Sequence, residues 1–279
     1  MNKKNIEIKN IAKRTLCLGD SHGGFLAVKQ VMERANFDNT KDILICLGDI
    51  VDGWSQSAEL IQYFIDLQKE SNNRHIFIKG NHDEWCNKWF INGQTLLTWT
   101  QNGGQATINS YIRTGYITEE SHREFFKNQL LYYIDDQNRA FVHGGFTSKK
   151  GLGHEKYEAD YYWDRYMWNL AITSHSSLPH ILNSVKDKIS YNLRFLRHKE
   201  IYIGHTPTQN WNIKKHYPEY KDNNQAKQGK ITVPMNRCNV WNLDTGGGFG
   251  GKITLMDIDT KEYFQSDFVK ELYPNELGR

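Results

Sequence analysis

Asp20, His22, Asp49, Asn81, His143 and His205 fall in five short polar segments: Gly19-Asp20-Ser21-His22-Gly23, Gly48-Asp49-Ile50-Val51-Asp52, Gly80-Asn81-His82-Asp83, His143-Gly144-Gly145 and Gly204-His205-Thr206. Carboxylate, amide and imidazole donors in this mixture suit divalent Mn, Fe, Zn or Co about equally. A site for two such cations also needs a carboxylate that can bridge them and offset their repulsion. The segments supply one. Asp20 and His22 stand two apart, so in an extended loop past a strand both side chains point the same way.

Each segment follows a short apolar run, at 15–18, 43–47, 76–78, 140–142 and 201–203, rich in β-branched or aromatic residues. Such runs suit buried strands. Polar residues just past the strand ends then line one rim of a sheet, where open α/β folds bind ligands. The first third alternates strand, loop and helix, with helices expected over 25–35, over 58–68 and from near Glu84, a βαβαβ unit with parallel strands. In the second helix Leu60, Ile61, Phe64, Ile65 and Leu67 give one apolar face for a sheet. From about 89 to 126 the pattern reads as a helical insertion broken at Gly103-Gly104, and 155–197 is again largely helical. Residues 217–230 read as an exposed polar loop, and strand signals return at 239–243 and 252–258. The metal-type residues run from Asp20 to His205, so no cut leaves a complete site on one side. One domain over 1–279 is expected.

With 35 basic and 32 acidic residues in 279, a formal +3, the charge balance is too even for a dedicated nucleic-acid or membrane surface. No run of about 18 apolar residues is present and the start lacks a signal-type apolar stretch. The chain is expected to be soluble and cytoplasmic, with no membrane partner. Its four cysteines, Cys17, Cys46, Cys86 and Cys238, form no C-x-x-C pair and read as buried free thiols.

In their order, G-D-x-H-G, G-D-x-V-D, G-N-H-[DE], H-G-G and G-H-T resemble the calcineurin-like metallophosphoesterases, and within them the branch of phosphoprotein phosphatases and symmetric bis-nucleosyl tetraphosphatases. Asn242-Leu243-Asp244-Thr245-Gly246 resembles the branch's final D-T-G element, so the likeness covers almost the whole chain. It implies two mixed β-sheets packed face to face with helices outside. It also implies two divalent metals, manganese foremost and iron, zinc or cobalt as alternatives, and in-line attack on phosphorus by a metal-bound hydroxide. By the same resemblance Asp20 and His22 bind the first metal, Asp49 bridges, and Asn81, His143 and His205 bind the second. His82 becomes the general acid and Asp52 the carboxylate that orients it and raises its pKa. Taken singly, each of these residues has a second reading as a polar cap of a helix or turn, and Asp52 in particular as a cap of the following helix. Trp163-Asp164-Arg165 resembles the W-x-R element by which bacterial members aim an arginine at the phosphate.

One position departs from the pattern. Where the family continues V-D-R-G, with an arginine gripping phosphate oxygens, Gly53 and Trp54 follow Asp52. The substrate is expected to be a phosphorylated protein or a small nucleotide; a phosphodiesterase or nuclease of the same superfamily and a non-catalytic scaffold are the alternatives. The Tyr161-to-Trp168 aromatics read as core packing ahead of base stacking. His75, His122, His154, His175, His180, His198 and His216 match no segment. Gly246 to Gly251 satisfies G-x-G-x-x-G, but a strand pattern follows it, so a tight turn replaces the nucleotide-loop reading.

Overall fold

Alternation along the strands sorts the apolar side chains into three layers. In the computed structural model, which describes residues 13–177, 194–210 and 230–279, β1 (Thr15–Leu18) turns Leu16 and Leu18 to one side and Cys17 to the other. β2 (Ile43–Cys46) divides Leu44 and Cys46 from Ile43 and Ile45 in the same way. Beside it runs β3 (Ile76–Phe77), and all three are parallel. β9 (Thr254–Asp257) pairs antiparallel with β1 and β10 (Tyr263–Gln265) with β9, giving a mixed sheet ordered β10-β9-β1-β2-β3.

The second sheet is built from β4 (Tyr132–Ile134), β5 (Arg139–Val142), β6 (Glu200–Ile203), β7 (Met235–Arg237) and β8 (Val240–Asn242), in the order β4-β5-β6-β8-β7. β5, β6 and β8 are parallel and the two edges antiparallel. Phe141 and Tyr202 face inward and stack at 4.9 Å, in one apolar layer with Cys17, Ile45 and Leu47 of the first sheet. The two sheets therefore pack face to face. On the outer side of the first lie α1 (Phe25–Arg34) and α2 (Ser57–Glu70), whose expected apolar face is buried throughout. The outer side of the second packs on Met167, Trp168, Ala171 and Ile172 of α8 (Tyr166–Ser177).

α3 spans Asn81–Asn92, starting three residues before the expected Glu84. Asp83 explains this, because its Oδ2 accepts the Gly80 N–H at 3.0 Å and closes the first turn from the third helical position. The expected insertion follows as α4 (Leu97–Trp99), α5 (Gln105–Thr114) and α6 (Glu120–Lys127), with a kink at Asn102 and Gly103. The short α7 (Ala159–Trp163) precedes α8. Part of the helical stretch expected over 155–197 and nearly all of the loop expected over 217–230 lie outside the described residues. All four cysteines are free, three buried and Cys238 half-buried. Among the described residues no helix is long and apolar enough to cross a membrane.

The inter-sheet layer sets the stability. Phe141→Ala is expected to cost about 3–5 kcal/mol, whereas Ile112→Ala, on the exposed face of α5 at 66% exposure, should stay within about 0.5 kcal/mol. Urea unfolding followed by far-UV circular dichroism checks both; equal midpoints for the two variants would contradict this layering.

Candidate functional site

Five parallel strands, three from one sheet and two from the other, end at a common rim. Asp20 and His22 follow β1, Asp49 and Asp52 follow β2, Asn81 and His82 follow β3, His143 follows β5 and His205 follows β6. All are buried. The two sheets are tied there by polar bonds, since the His205 N–H donates to Asp20 Oδ2 at 2.9 Å and His143 Nδ1 to the Leu47 carbonyl at 2.8 Å. Close approach needs Gly204, where a Cβ would lie 2.0 Å from Asp20 Oδ1. His22, Asp49, Asp52 and His205 adopt the left-handed backbone, with φ between 48° and 75°, a conformation that costs a non-glycine residue energy and clusters at functional sites.

Asp49 Oδ1 accepts the His82 N–H at 3.0 Å. Its Oδ2 lies 3.2 Å from His143 Nε2 and 3.8 Å from His22 Nε2. Asp49 thus belongs to two groups of ligand-type atoms each within 4.8 Å: one with His22 and His82, the other with His143 and His205. The ring nitrogens are already sorted. A carbonyl can only accept, so His143 donates from Nδ1 to Leu47, and His22 donates from Nδ1 toward the carbonyls of Val51 and Asp52 at 3.2 and 3.1 Å. That leaves Nε2 of His22 as a lone pair, the usual arrangement behind metal-binding histidines, while His143 Nε2 faces Asp49 Oδ2 and Asn81 Oδ1 at 3.2 and 3.3 Å.

Asp20 Oδ1, Asp49 Oδ2 and His205 Nε2 are buried with no hydrogen-bond partner among the described residues. Leaving such atoms unpaired in a dry site is costly, and divalent cations are the groups this donor set fits. The electrostatics agree. Burial pushes the Asp20 carboxyl well above its ordinary range, reinforced by Asp244 and Asp49. Burial would also raise Asp49, but His143 and His82 hold it well below. His143, which burial alone would lower, is held at about 9 by Asp49 and Asp20, so the field there favours a positive charge. Burial keeps His22 and His205 neutral.

Asp52 does not cap a helix. Its Oδ2 lies 2.7 Å from His82 Nδ1 and accepts Trp99 Nε1–H at 2.7 Å, while Oδ1 accepts the Thr107 hydroxyl at 2.7 Å. Trp99 and Thr107 belong to the helical insertion, whose role the sequence does not disclose. The expected rise in the His82 pKa is not what the geometry gives, because burial, aided by Arg279, His143 and Arg165, outweighs Asp49 and lowers it to about 3. Burial drives Asp52 well upward at the same time. Together the opposite shifts describe one net-neutral pair joined through the Asp52 to Nδ1 contact.

Arg165 is half-buried, its Nη1 donating to the His205 carbonyl at 2.8 Å and to Thr206 Oγ1 at 3.0 Å. It lines a cleft of about 320 Å³ with Thr206, Phe249 and Arg279. The aromatic stretch divides: Tyr161, Tyr162 and Trp168 are buried, whereas Trp163 is 44% exposed and sets its ring edge-on to His205 at 5.9 Å and to Trp85 at 5.2 Å. Trp168 cannot stack on a ligand. Gly246 to Gly251 forms a turn between β8 and β9, as expected. His75, His122 and His198 hydrogen-bond within the fold. Trp99, Thr107 and Arg279 had no signal in the sequence, since each reaches the rim from a distant segment.

Comparison with known proteins agrees with this geometry. A symmetrical bis(5'-nucleosyl)-tetraphosphatase of Pseudomonas fluorescens (strain SBW25) is 24% identical, covering 90% of this chain and 93% of that protein. Serine/threonine-protein phosphatase 1 of Salmonella typhimurium is 23% identical over 91% of this chain and 95% of its own. In fold, a protein serine/threonine phosphatase from Saccharomyces cerevisiae superposes with a TM-score of 0.57 at 14% identity, covering 93% of this chain and 80% of that one. Residues 13–226 match the calcineurin-like phosphoesterases, and the chain belongs to that family of hydrolases.

Proposed function

We propose that the chain is a metal-dependent phosphatase that hydrolyses a phosphomonoester or the phosphoanhydride of a nucleotide. The observation that carries this reading is the convergence of three unpartnered buried ligand atoms, on Asp20, Asp49 and His205, beside the His82–Asp52 pair. In it Asp20 and His22 would hold one cation and Asn81, His143 and His205 the other, with Asp49 shared between them; manganese is the first choice. When bound, such a pair of cations lowers the pKa of an attacking water and neutralises charge on the phosphoryl oxygens. His82 gives its Nε2 proton to the leaving oxygen. Asp52 holds the imidazole by Nδ1 and is itself held by Trp99 and Thr107. Arg165, fixed to the loop after β6, supplies a guanidinium to the phosphate oxygens.

Within this reading a nucleoside oligophosphate fits best. Trp163 offers a half-exposed indole next to His205, and stacking of a base on an aromatic is worth about 1–3 kcal/mol. The tetraphosphatase relatives act in their own names on bis-nucleosyl tetraphosphates.

Hydrolysis of p-nitrophenyl phosphate in Mn²⁺ buffer, with bis-p-nitrophenyl phosphate turned over poorly, is the expected outcome of the direct test; the opposite preference would make the chain a diesterase, and no turnover of either a scaffold. Asp49→Asn is expected to lose both bound metals by elemental analysis and nearly all activity; two metals retained would remove the bridging role.

His82→Ala should slow hydrolysis of an alkyl phosphate about 10²–10⁴-fold more than that of p-nitrophenyl phosphate, because only the poor leaving group needs a proton. Trp99→Phe, which keeps the ring and deletes the donor to Asp52, should shift the same comparison about tenfold. Equal losses on both substrates would take His82 out of the acid role.

Trp163→Ala is expected to lower kcat/KM for diadenosine tetraphosphate roughly ten- to a hundredfold while leaving a phosphothreonine peptide within about twofold. A parent enzyme that prefers the peptide, with no effect of Trp163→Ala, would turn the reading to a protein phosphatase.

A further inference from the structure

Gly53 stands where the resemblance calls for an arginine, and the space beside it is taken by Arg279. A Cβ added at Gly53 would lie 3.4 Å from the Arg279 backbone N and 3.5 Å from its Cβ. Arginine at position 53 itself is opposed by the backbone, since φ there is +114°. Residues 273–279 instead dock along the segment after Asp52. Buried Trp54 stacks on Tyr273 at 5.3 Å, Ser55 donates from its N–H and hydroxyl to Glu276 at 2.8 and 2.6 Å, and the Arg279 N–H donates to the Gly248 carbonyl at 2.9 Å.

This docking delivers the Arg279 guanidinium to the site. It lies 4.8 Å over the Phe249 ring, and its Nη1 comes within 3.1 Å of His22 Nε2. Its side chain is only 14% exposed. Among the described residues the one carboxylate within 4.0 Å is Asp49, at 3.9 Å, a contact too long for a hydrogen bond. One N–H of this nearly buried guanidinium is taken by His22 Nε2, and the others find no acceptor among the described residues, next to groups suited to cations and in the same cleft as Arg165 and Thr206. The group that would relieve both this guanidinium and nearby cations is an oxyanion lying between them.

We infer that Arg279 grips the phosphoryl group of the substrate, taking from a distant segment of the chain the place of the arginine absent after Asp52. The inference rests on the phosphatase reading. Arg165 and Arg279 then contact one phosphate from two separately anchored loops, and Glu276 is a positioning residue that holds the second loop in place.

The test uses the full chain loaded with Mn²⁺, inorganic phosphate as the probe, and calorimetric titration beside kinetics on p-nitrophenyl phosphate. Arg279→Ala and the gentler Arg279→Gln should each weaken phosphate binding about ten- to a hundredfold, with two metals retained by elemental analysis. Arg279→Lys should recover part of the loss, because a point charge cannot hold two oxygens. Glu276→Ala should give a smaller loss of the same kind. Phosphate affinity within twofold of the parent in both Arg279→Ala and Arg279→Gln would overturn the inference, as would metal lost in parallel with phosphate, which would make Arg279 a support of His22. An inactive parent that binds no phosphate would sink the phosphatase reading itself; an active parent indifferent to Arg279 would sink this inference alone.

Discussion

Five aspartates are buried at or beside one rim, and the structure depends on how their charge is compensated. Three are answered from within the protein. Asp52 is bonded by His82, Trp99 and Thr107, Asp83 by the N–H groups of Ile50 and Gly80 and by Gln129, and Asp244 by the Gly246 N–H. Asp20 and Asp49 each keep one oxygen without a partner among the described residues. Burying an unpaired carboxylate is costly enough that the group either neutralises or acquires a cation. The division between satisfied and open carboxylates separates those answered within the fold from those left open to a cation.

The same constraint binds chemistry to packing. Asp20 belongs to the first sheet yet accepts from His205 of the second, and His143 of the second sheet reaches back to Leu47 of the first. Directly beneath these bonds lies the Phe141 and Tyr202 layer that joins the sheets. Distances between ligand-type residues drawn from opposite sheets are therefore set by the thickness of an apolar layer. A rigid core can hold such distances where mobile loops could not.

Much of this was legible because it is local. Each ligand-type residue follows an apolar run by one to four residues, so strand ends and candidate ligands are read together, and β1, β2, β3, β5 and β6 all formed where those runs lie. The three-residue edge strands β4, β7 and β10 are too short to show a period. What supports the site is non-local. Trp99 and Thr107 meet Asp52 from 47 and 55 positions away, and Arg279 meets His22 across 257. The lowered pKa of His82 was likewise hidden, because its sign depends on burial outweighing a neighbouring charge. Trp163 and Trp168 look equivalent in sequence and differ only in which face of the packed chain they occupy.

The left-handed backbone at His22, Asp49, Asp52 and His205 also bears on how this chain can change over time. Sparsely populated conformations of this kind cost about 1–3 kcal/mol each, and glycine adopts them without strain. At these four positions the residue that the proposed chemistry calls for and the residue that would ease folding are different. Mutational drift in a lineage no longer selected for turnover would therefore erode the site first where folding gains by it, leaving the two sheets standing with glycine or asparagine at their rim. In this chain all four positions carry aspartate or histidine despite that cost.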